Sequence, residues 1–250
     1  MKRYFNLSLF PWITLLTGAA GLLLRVWLFA TGIDSKGLLV ETHPANALSW
    51  IVTGITMCIL FLSIPGITRR VPKAPLTGPI HTWGCLIASV GILTASLTEL
   101  MQTVDATTTA SSVLGIVAAV CLFSSAYKQM VHKRGQTVEM MLVTVYLMVH
   151  LVCQYRYWSA EPQLQNYAFQ LLASIFLMMT SFYRASLELS GGKLRGYVFC
   201  NQTSLFFCCL SLTTSLWPFY LATGIWTVTD LISLRAVRPA KPKNPQPEEN

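Results

Sequence analysis

The sequence predicts an all-α protein, a polytopic integral membrane helix bundle of about eight transmembrane helices with both termini in the cytoplasm. Of its 250 residues 53% are hydrophobic and only 11% are charged, less than half of the roughly 25% that is typical of soluble domains. Apolar stretches of about 20 residues, the length that crosses a bilayer, recur along the chain. Lysine and arginine cluster at every second connection between these stretches, which is the pattern that sets membrane topology.

Eight apolar stretches are interpreted as membrane spans. The region 196–234 is too long for one span, because at about 1.5 Å per residue it would measure nearly twice the hydrocarbon thickness. Pro218 beside Trp217 marks the break, since proline disrupts a helix interior and tryptophan favours the interface. One span followed by a re-entrant segment is the alternative. The predicted spans are Leu7–Thr31, Ala45–Ile64, Gly78–Gln102, Ala106–Tyr127, Val138–Trp158, Gln163–Leu187, Gly196–Thr214 and Trp217–Leu234.

Basic residues fall almost entirely on one side of this arrangement. Of the 18 lysines and arginines, 15 lie before helix 1, between helices 2 and 3, 4 and 5, or 6 and 7 (Arg184 is counted here), or after helix 8. The positive-inside rule therefore places both termini in the cytoplasm. We expect the protein to be an integral, multi-pass protein of the cell membrane. We predict one transmembrane domain over 1–235 and a disordered, basic, proline-rich cytoplasmic tail over 236–250. The net charge of +8 is thus a topology signal, and we expect no nucleic-acid partner.

Two of the charged residues inside predicted spans lie on helical faces of small residues. Arg25 shares a face with Gly18 and Gly21, and Glu99 shares one with Gly91. Small residues mark a face where another helix approaches. A charge within the membrane costs about 3 kcal/mol on insertion scales, so we predict that Arg25 and Glu99 pair with each other. A pair that only fixes helix packing and independent snorkelling to the headgroups are the alternatives.

Further polar side chains extend this outer region onto helices 5 and 6. Carboxamides within lipid are costly unless paired, so these should point into the bundle. Because an unperturbed histidine titrates near neutrality, His150 is a candidate proton-linked group. The alternative is ordinary hydrogen bonding between helices, worth about 0.6 kcal/mol per bond. The predicted substrate-binding residues are Arg25, Glu99, Gln102, His150, Gln154, Gln163, Asn166 and Gln170.

Helices 7 and 8 carry polar residues at spacings of three and four, which place them on one face of each helix. Such stripes predict either a water-filled path or ordinary packing faces. The members are Asn201, Ser204, Cys208, Ser211 and Ser215 on helix 7, and Tyr220, Thr223, Thr227 and Asp230 on helix 8. Asp230 lies near the cytoplasmic interface, and we expect it to be solvated.

The chain contains none of the common catalytic motifs. There is no Gly-x-x-x-x-Gly-Lys-[Ser/Thr], no His-Glu-x-x-His and no Gly-x-Ser-x-Gly. An enzyme is therefore the weakest class, and we expect no cofactor and no metal. The leading hypothesis is a small-solute transporter or permease in the lipid bilayer, with its polar site in the outer half of the bundle. The alternative is a non-catalytic membrane subunit or sensor that acts through protein or lipid partners.

Overall fold

A computed structural model describes residues 10–32, 43–64, 79–102, 106–131, 135–158, 167–190 and 193–236. Within them the chain forms eight α-helices, with one 3₁₀ turn between the last two. The break predicted inside the last apolar region is confirmed, because the turn occupies Ser211–Thr213 and the next helix starts at Trp217 and Pro218. The helices are α1 Phe10–Thr31, α2 Pro44–Ser63, α3 Pro79–Gln102, α4 Ala106–Met130, α5 Thr137–Trp158, α6 Ala168–Ser190, α7 Leu194–Leu210 and α8 Trp217–Ala236. The predicted tail lies outside the described residues.

Six of these helices, α1 to α6, are long and apolar enough to cross a membrane. The chain therefore has the composition of a multi-pass membrane protein. The helices α7 and α8, which the sequence analysis also assigned as spans, are not among these six, and α7 has only 17 residues. Helix α7 is buried along almost its whole length against neighbouring helices, so it needs no apolar face towards lipid. The number of spans beyond six stays a prediction.

The bundle is held together by close helix pairs. The helix α3 packs on α4 and α8, α6 lies between α5 and α7, and α7 also contacts α1 and α8. Contacts along these pairs show that α1 runs parallel to α7 and that α7 runs antiparallel to α8. The contacts are Gly18 with Cys209, Arg25 with Thr213, Tyr197 with Asp230, and Cys208 with Thr223. The start of α1 and the end of α8 therefore lie at one end of the bundle, which we call the terminal end; the opposite end is the distal end.

Small residues allow the closest approaches, as the sequence analysis predicted. A Cβ added to Gly21 would lie 2.7 Å from a methyl carbon of Leu210 on α7. A Cβ on Gly91 would collide with Ala222 on α8 and lie 3.3 Å from the carbonyl oxygen of Pro218. The faces that carry Arg25 and Glu99 are therefore helix-packing faces, but they pack on different partners.

Candidate functional site

The most highly charged part of the interior lies near the terminal end, where four helices meet. His81 comes from the start of α3, Arg184 from the last turns of α6, Tyr197 from the start of α7 and Asp230 from the last turns of α8. We call these four residues the Asp230 cluster. Each is at most 1% exposed. The expectation that Asp230 is solvated is wrong, because three helices surround it although it lies close to the end of its own.

The carboxylate of Asp230 is the centre of the cluster. Its Oδ1 is in contact with Nδ1 of His81, and its Oδ2 accepts a hydrogen bond from the Tyr197 hydroxyl. Nη1 of Arg184 lies 3.6 Å from its Oδ2. One acidic and one basic side chain therefore face each other inside the bundle, with a ring nitrogen and a hydroxyl group completing the shell. Arg184, which the sequence analysis counted among the loop charges, is instead part of this buried pair.

The second contact of Arg184 determines the tautomer of His81. Nη2 of Arg184 lies 2.9 Å from Nε2 of His81. Because a guanidinium has donors and no acceptor, Nε2 must be the acceptor of this bond. The ring proton consequently sits on Nδ1 and points at Asp230. The imidazole is neutral, and it is held from both sides by charged groups.

The thiol of Cys85, one turn further along α3, lies next to the same ring nitrogen. Its Sγ lies 3.4 Å from Nε2 of His81. The order thiol, imidazole, carboxylate is that of a nucleophile, its base and the group that orients the base. Here, however, Arg184 already donates to Nε2, and Cys85 has no exposed surface. The arrangement therefore favours a buried polar cluster over a nucleophilic centre. No three His, Cys, Asp or Glu side chains among the described residues are placed to hold a metal ion.

A series of hydrogen bonds runs from Thr82, next to the cluster, to the surface at the terminal end. Thr82, which follows His81, donates to Oε1 of Gln129 at 3.1 Å. Gln129 donates through Nε2 to Oε1 of Gln136 at 3.0 Å. The backbone N–H of Gln136 donates to the carboxylate of Glu188 at 2.9 Å. Since Glu188 is exposed, this chain connects the neighbourhood of His81 with solvent.

Asn201 lies one turn from Tyr197 along α7 and is fully buried. Neither its amide nitrogen nor its amide oxygen has a hydrogen-bond partner among the described residues. It belongs to the predicted polar stripe of α7, which faces α8 where Cys208 lies 3.8 Å from the hydroxyl oxygen of Thr223. Buried carboxamides of this kind pair with ordered water or a polar ligand. The stripe is therefore an inward polar face with capacity for further hydrogen bonds.

A second polar group lies towards the distal end. Nε2 of Gln154 donates to Oε1 of Glu99 at 3.1 Å, and Nδ1 of His150 lies 3.9 Å from the same oxygen. The His150 ring is flanked by Tyr146 and Phe219, at centroid distances of 5.6 and 5.3 Å. We call Glu99, Tyr146, His150 and Gln154 the Glu99 cluster. The structure thus brings three of the predicted site residues together, and 18% of the Glu99 side chain is exposed.

Arg25 is not part of this group, and the predicted ion pair between Arg25 and Glu99 is wrong. The guanidinium lies 4.8 Å from the ring centroid of Phe169, and its Nε lies 3.4 Å from the hydroxyl oxygen of Thr213. No ion pair joins it to Glu99 among the described side chains. The reason is the order of the helices: α1 packs on α2 and α7, whereas α3 packs on α4 and α8. Arg25 is nevertheless buried, so it does not snorkel as an isolated charge.

The other predicted site residues fall in different places. Gln102 is the last residue of α3 and is exposed. Gln170 is buried on α6 next to Phe169, one turn before Ser174. Gln163 and Asn166 lie outside the described residues. The residues that the sequence analysis missed are His81, Arg184 and Tyr197; the available signal was that all three lie at the same depth as Asp230.

Comparison with protein-family models, curated proteins and solved structures finds no match to this chain.

Proposed function

We propose that this chain is a multi-pass membrane permease for a small cationic solute, such as an amine, and that the Glu99 cluster binds that solute. The observation that carries the proposal is the environment of Glu99. Its carboxylate lies inside the bundle, and among the described residues no lysine or arginine is within ion-pair distance of it. The group nearest to it that can become cationic is His150, at 3.9 Å.

The charge of the site supports a cation over an anion. An ionisable side chain inside a membrane bundle is costly and is a functional-site hypothesis by default. Had Arg25 paired with Glu99, the site would have been neutral; with Arg25 on Phe169, the carboxylate is left to attract a positive group. The rings of Tyr146 and Phe219 beside His150 add faces that favour organic cations.

The rest of the interior favours a path for a solute rather than a purely structural bundle. Ionisable groups lie at both ends of the bundle, and the polar face of α7 lies between them. Asn201 on that face has hydrogen-bonding capacity that the described protein groups do not use. A purely structural bundle would gain nothing from such a group, since an unmade buried hydrogen bond costs about 1–3 kcal/mol.

The test starts with thermal unfolding of the detergent-purified chain in the presence of ethanolamine, choline, putrescine or arginine, with glutamate and phosphate as anionic probes. A cation at 100 times its dissociation constant should stabilise the protein by about 2.7 kcal/mol. Glu99→Gln should abolish the shift. The matched control is Glu139→Gln, which removes an acidic group that is paired with Lys128 at the other end of the bundle.

Stabilisation by anions alone, or an unchanged shift in Glu99→Gln, would contradict a cation site at Glu99. Uptake of the stabilising cation into proteoliposomes then separates the two function classes. Accumulation that Glu99→Gln removes supports a permease. Binding without uptake would favour the sensor or membrane subunit.

A further inference from the structure

The contact between Arg184 and His81 can exist only while His81 is neutral. Nε2 of His81 accepts the guanidinium proton across 2.9 Å. If Nε2 bound a proton, it would become a donor facing a donor, and two positive groups would share one carboxylate. Either Arg184 or the added proton would then have to leave. The geometry therefore makes the position of Arg184 depend on the protonation of His81.

A second acceptor for Arg184 lies one helical turn away. Glu188 follows at i+4 on α6, a spacing that places two side chains side by side on the helix surface. Its carboxylate accepts from the backbone N–H of Gln136 at 2.9 Å and lies within 3.4 Å of the Thr137 hydroxyl oxygen. Because a carboxylate can accept several hydrogen bonds, it has room for a guanidinium as well. Glu188 is exposed, so Arg184 would move towards solvent at the terminal end.

We propose that His81 is a reversible proton-binding site, and that proton uptake at its Nε2 moves Arg184 from Asp230 to Glu188. One proton from water at the terminal end forms an Nε2–H bond, and the Arg184 hydrogen bond to that nitrogen breaks. Nδ1–H stays on Asp230, so the imidazolium and the carboxylate then neutralise each other. Arg184 in turn is neutralised by Glu188. In both states each charged group of the cluster lies next to a group of opposite charge. In the protonated state, Arg184 no longer links α6 to α3 and α8.

The groups that face His81 are consistent with such a switch. They are Asp230 on α8, Arg184 and Glu188 on α6, Tyr197 on α7 through its bond to Asp230, and Cys85 on α3 itself. From α4, the neutral side chain of Gln129 accepts a hydrogen bond from Thr82, the residue that follows His81 on α3. The chain Thr82, Gln129, Gln136 and Glu188 supplies polar groups between the cluster and the surface. The switch does not require that the Glu99 cluster binds a solute.

The test is nitrogen NMR of the full chain in lipid nanodiscs with ¹⁵N-labelled histidine. The chain has four histidines, and His81→Gln and His150→Gln assign the two buried ones. At alkaline pH we expect His81 to show a protonated Nδ1 and an acceptor-type Nε2. Between about pH 8 and pH 5, the range in which histidine is used as a switch, Nε2 should become protonated reversibly without unfolding.

Glu188→Gln tests whether Glu188 supports the protonated state of His81. It removes the second acceptor for Arg184, so the fraction of protonated His81 at a fixed acidic pH should fall about twofold or more. Glu99→Gln, which removes a buried carboxylate at the distal end, should leave that fraction unchanged. The proposal is overturned if Nε2 stays unprotonated until the protein unfolds, if it is protonated at every pH in this range, or if Glu188→Gln has no effect. None of these readouts depends on a solute, so they can fail while a permease function stands.

Discussion

Neutralising Asp230 should be among the most destabilising conservative substitutions in the chain. Asp230→Asn keeps the shape of the side chain but removes the negative charge that Arg184 and His81 contact. In its observed position, the guanidinium of Arg184 is then buried with no carboxylate against it. Breaking one partner out of a buried ion pair is far more costly than replacing both, because an uncompensated charge stays inside.

The structure sets the size of the effect. Two unit charges 3.6 Å apart interact by about 5 kcal/mol at an effective dielectric constant of about 20. The lost hydrogen bond from Tyr197 adds to this, while the amide of asparagine recovers part of it. We therefore expect the free energy of unfolding to fall by about 3–5 kcal/mol, the range found when buried pairs are broken.

The assay is reversible unfolding of the purified chain in mixed micelles, followed by circular dichroism. The decisive comparison is the double variant Arg184→Gln with Asp230→Asn, which removes both charges. It should be more stable than Asp230→Asn alone, because no unpaired charge remains. A loss below about 1 kcal/mol for Asp230→Asn, or a double variant as unstable as the sum of the two single ones, would refute the buried ion pair.

Three further predictions use the same unfolding assay. Gly91→Ala should cost about 1–3 kcal/mol, since its Cβ collides with α8, whereas Gly54→Ala, which meets no atom within 4 Å, should stabilise by about 0.5–1 kcal/mol; equal effects would contradict the packing of α3 on α8. The losses from Arg25→Gln and Glu99→Gln should add to within about 0.5 kcal/mol, and a larger coupling would restore the ion pair that the structure separates. His43→Ala should cost about 1 kcal/mol, because Nδ1 of His43 accepts from the backbone N–H of Ala45 at the start of α2; an unchanged midpoint would mean that this cap does not stabilise the helix.

The members of the Glu99 cluster were predictable because depth in a bundle follows from position along a helix. Glu99 lies near the end of α3, and His150 and Gln154 lie in the second half of α5, so the alternation of helix direction places them at one end. Which residues touch is a different question. Arg25 has the same depth as Glu99, but the lateral order of the helices puts α7 and α8 between their elements.

The Asp230 cluster shows that position along a helix does not predict burial. Asp230 and Arg184 both lie within a few residues of a helix end, and the sequence analysis took this as access to water. Both are at most 1% exposed. Nearness to a helix end describes one chain segment, whereas burial depends on what the neighbouring segments cover. The ends of α6 and α8 are covered by the start of α7 and by the start of α3, which is distant from both in the sequence.

The sequence by itself determined the helices, their breaks and the end of the bundle at which each polar residue lies, because apolar length, proline and charge act locally along the chain. Only the tertiary structure decided the partners: Arg25 on Phe169 and Thr213, Glu99 with Gln154 and His150, and Arg184 between His81 and Asp230. The physical reason is that a buried charge pairs with whichever group the packing of helix faces brings within a few ångströms. That packing depends on the shapes of several helices at once.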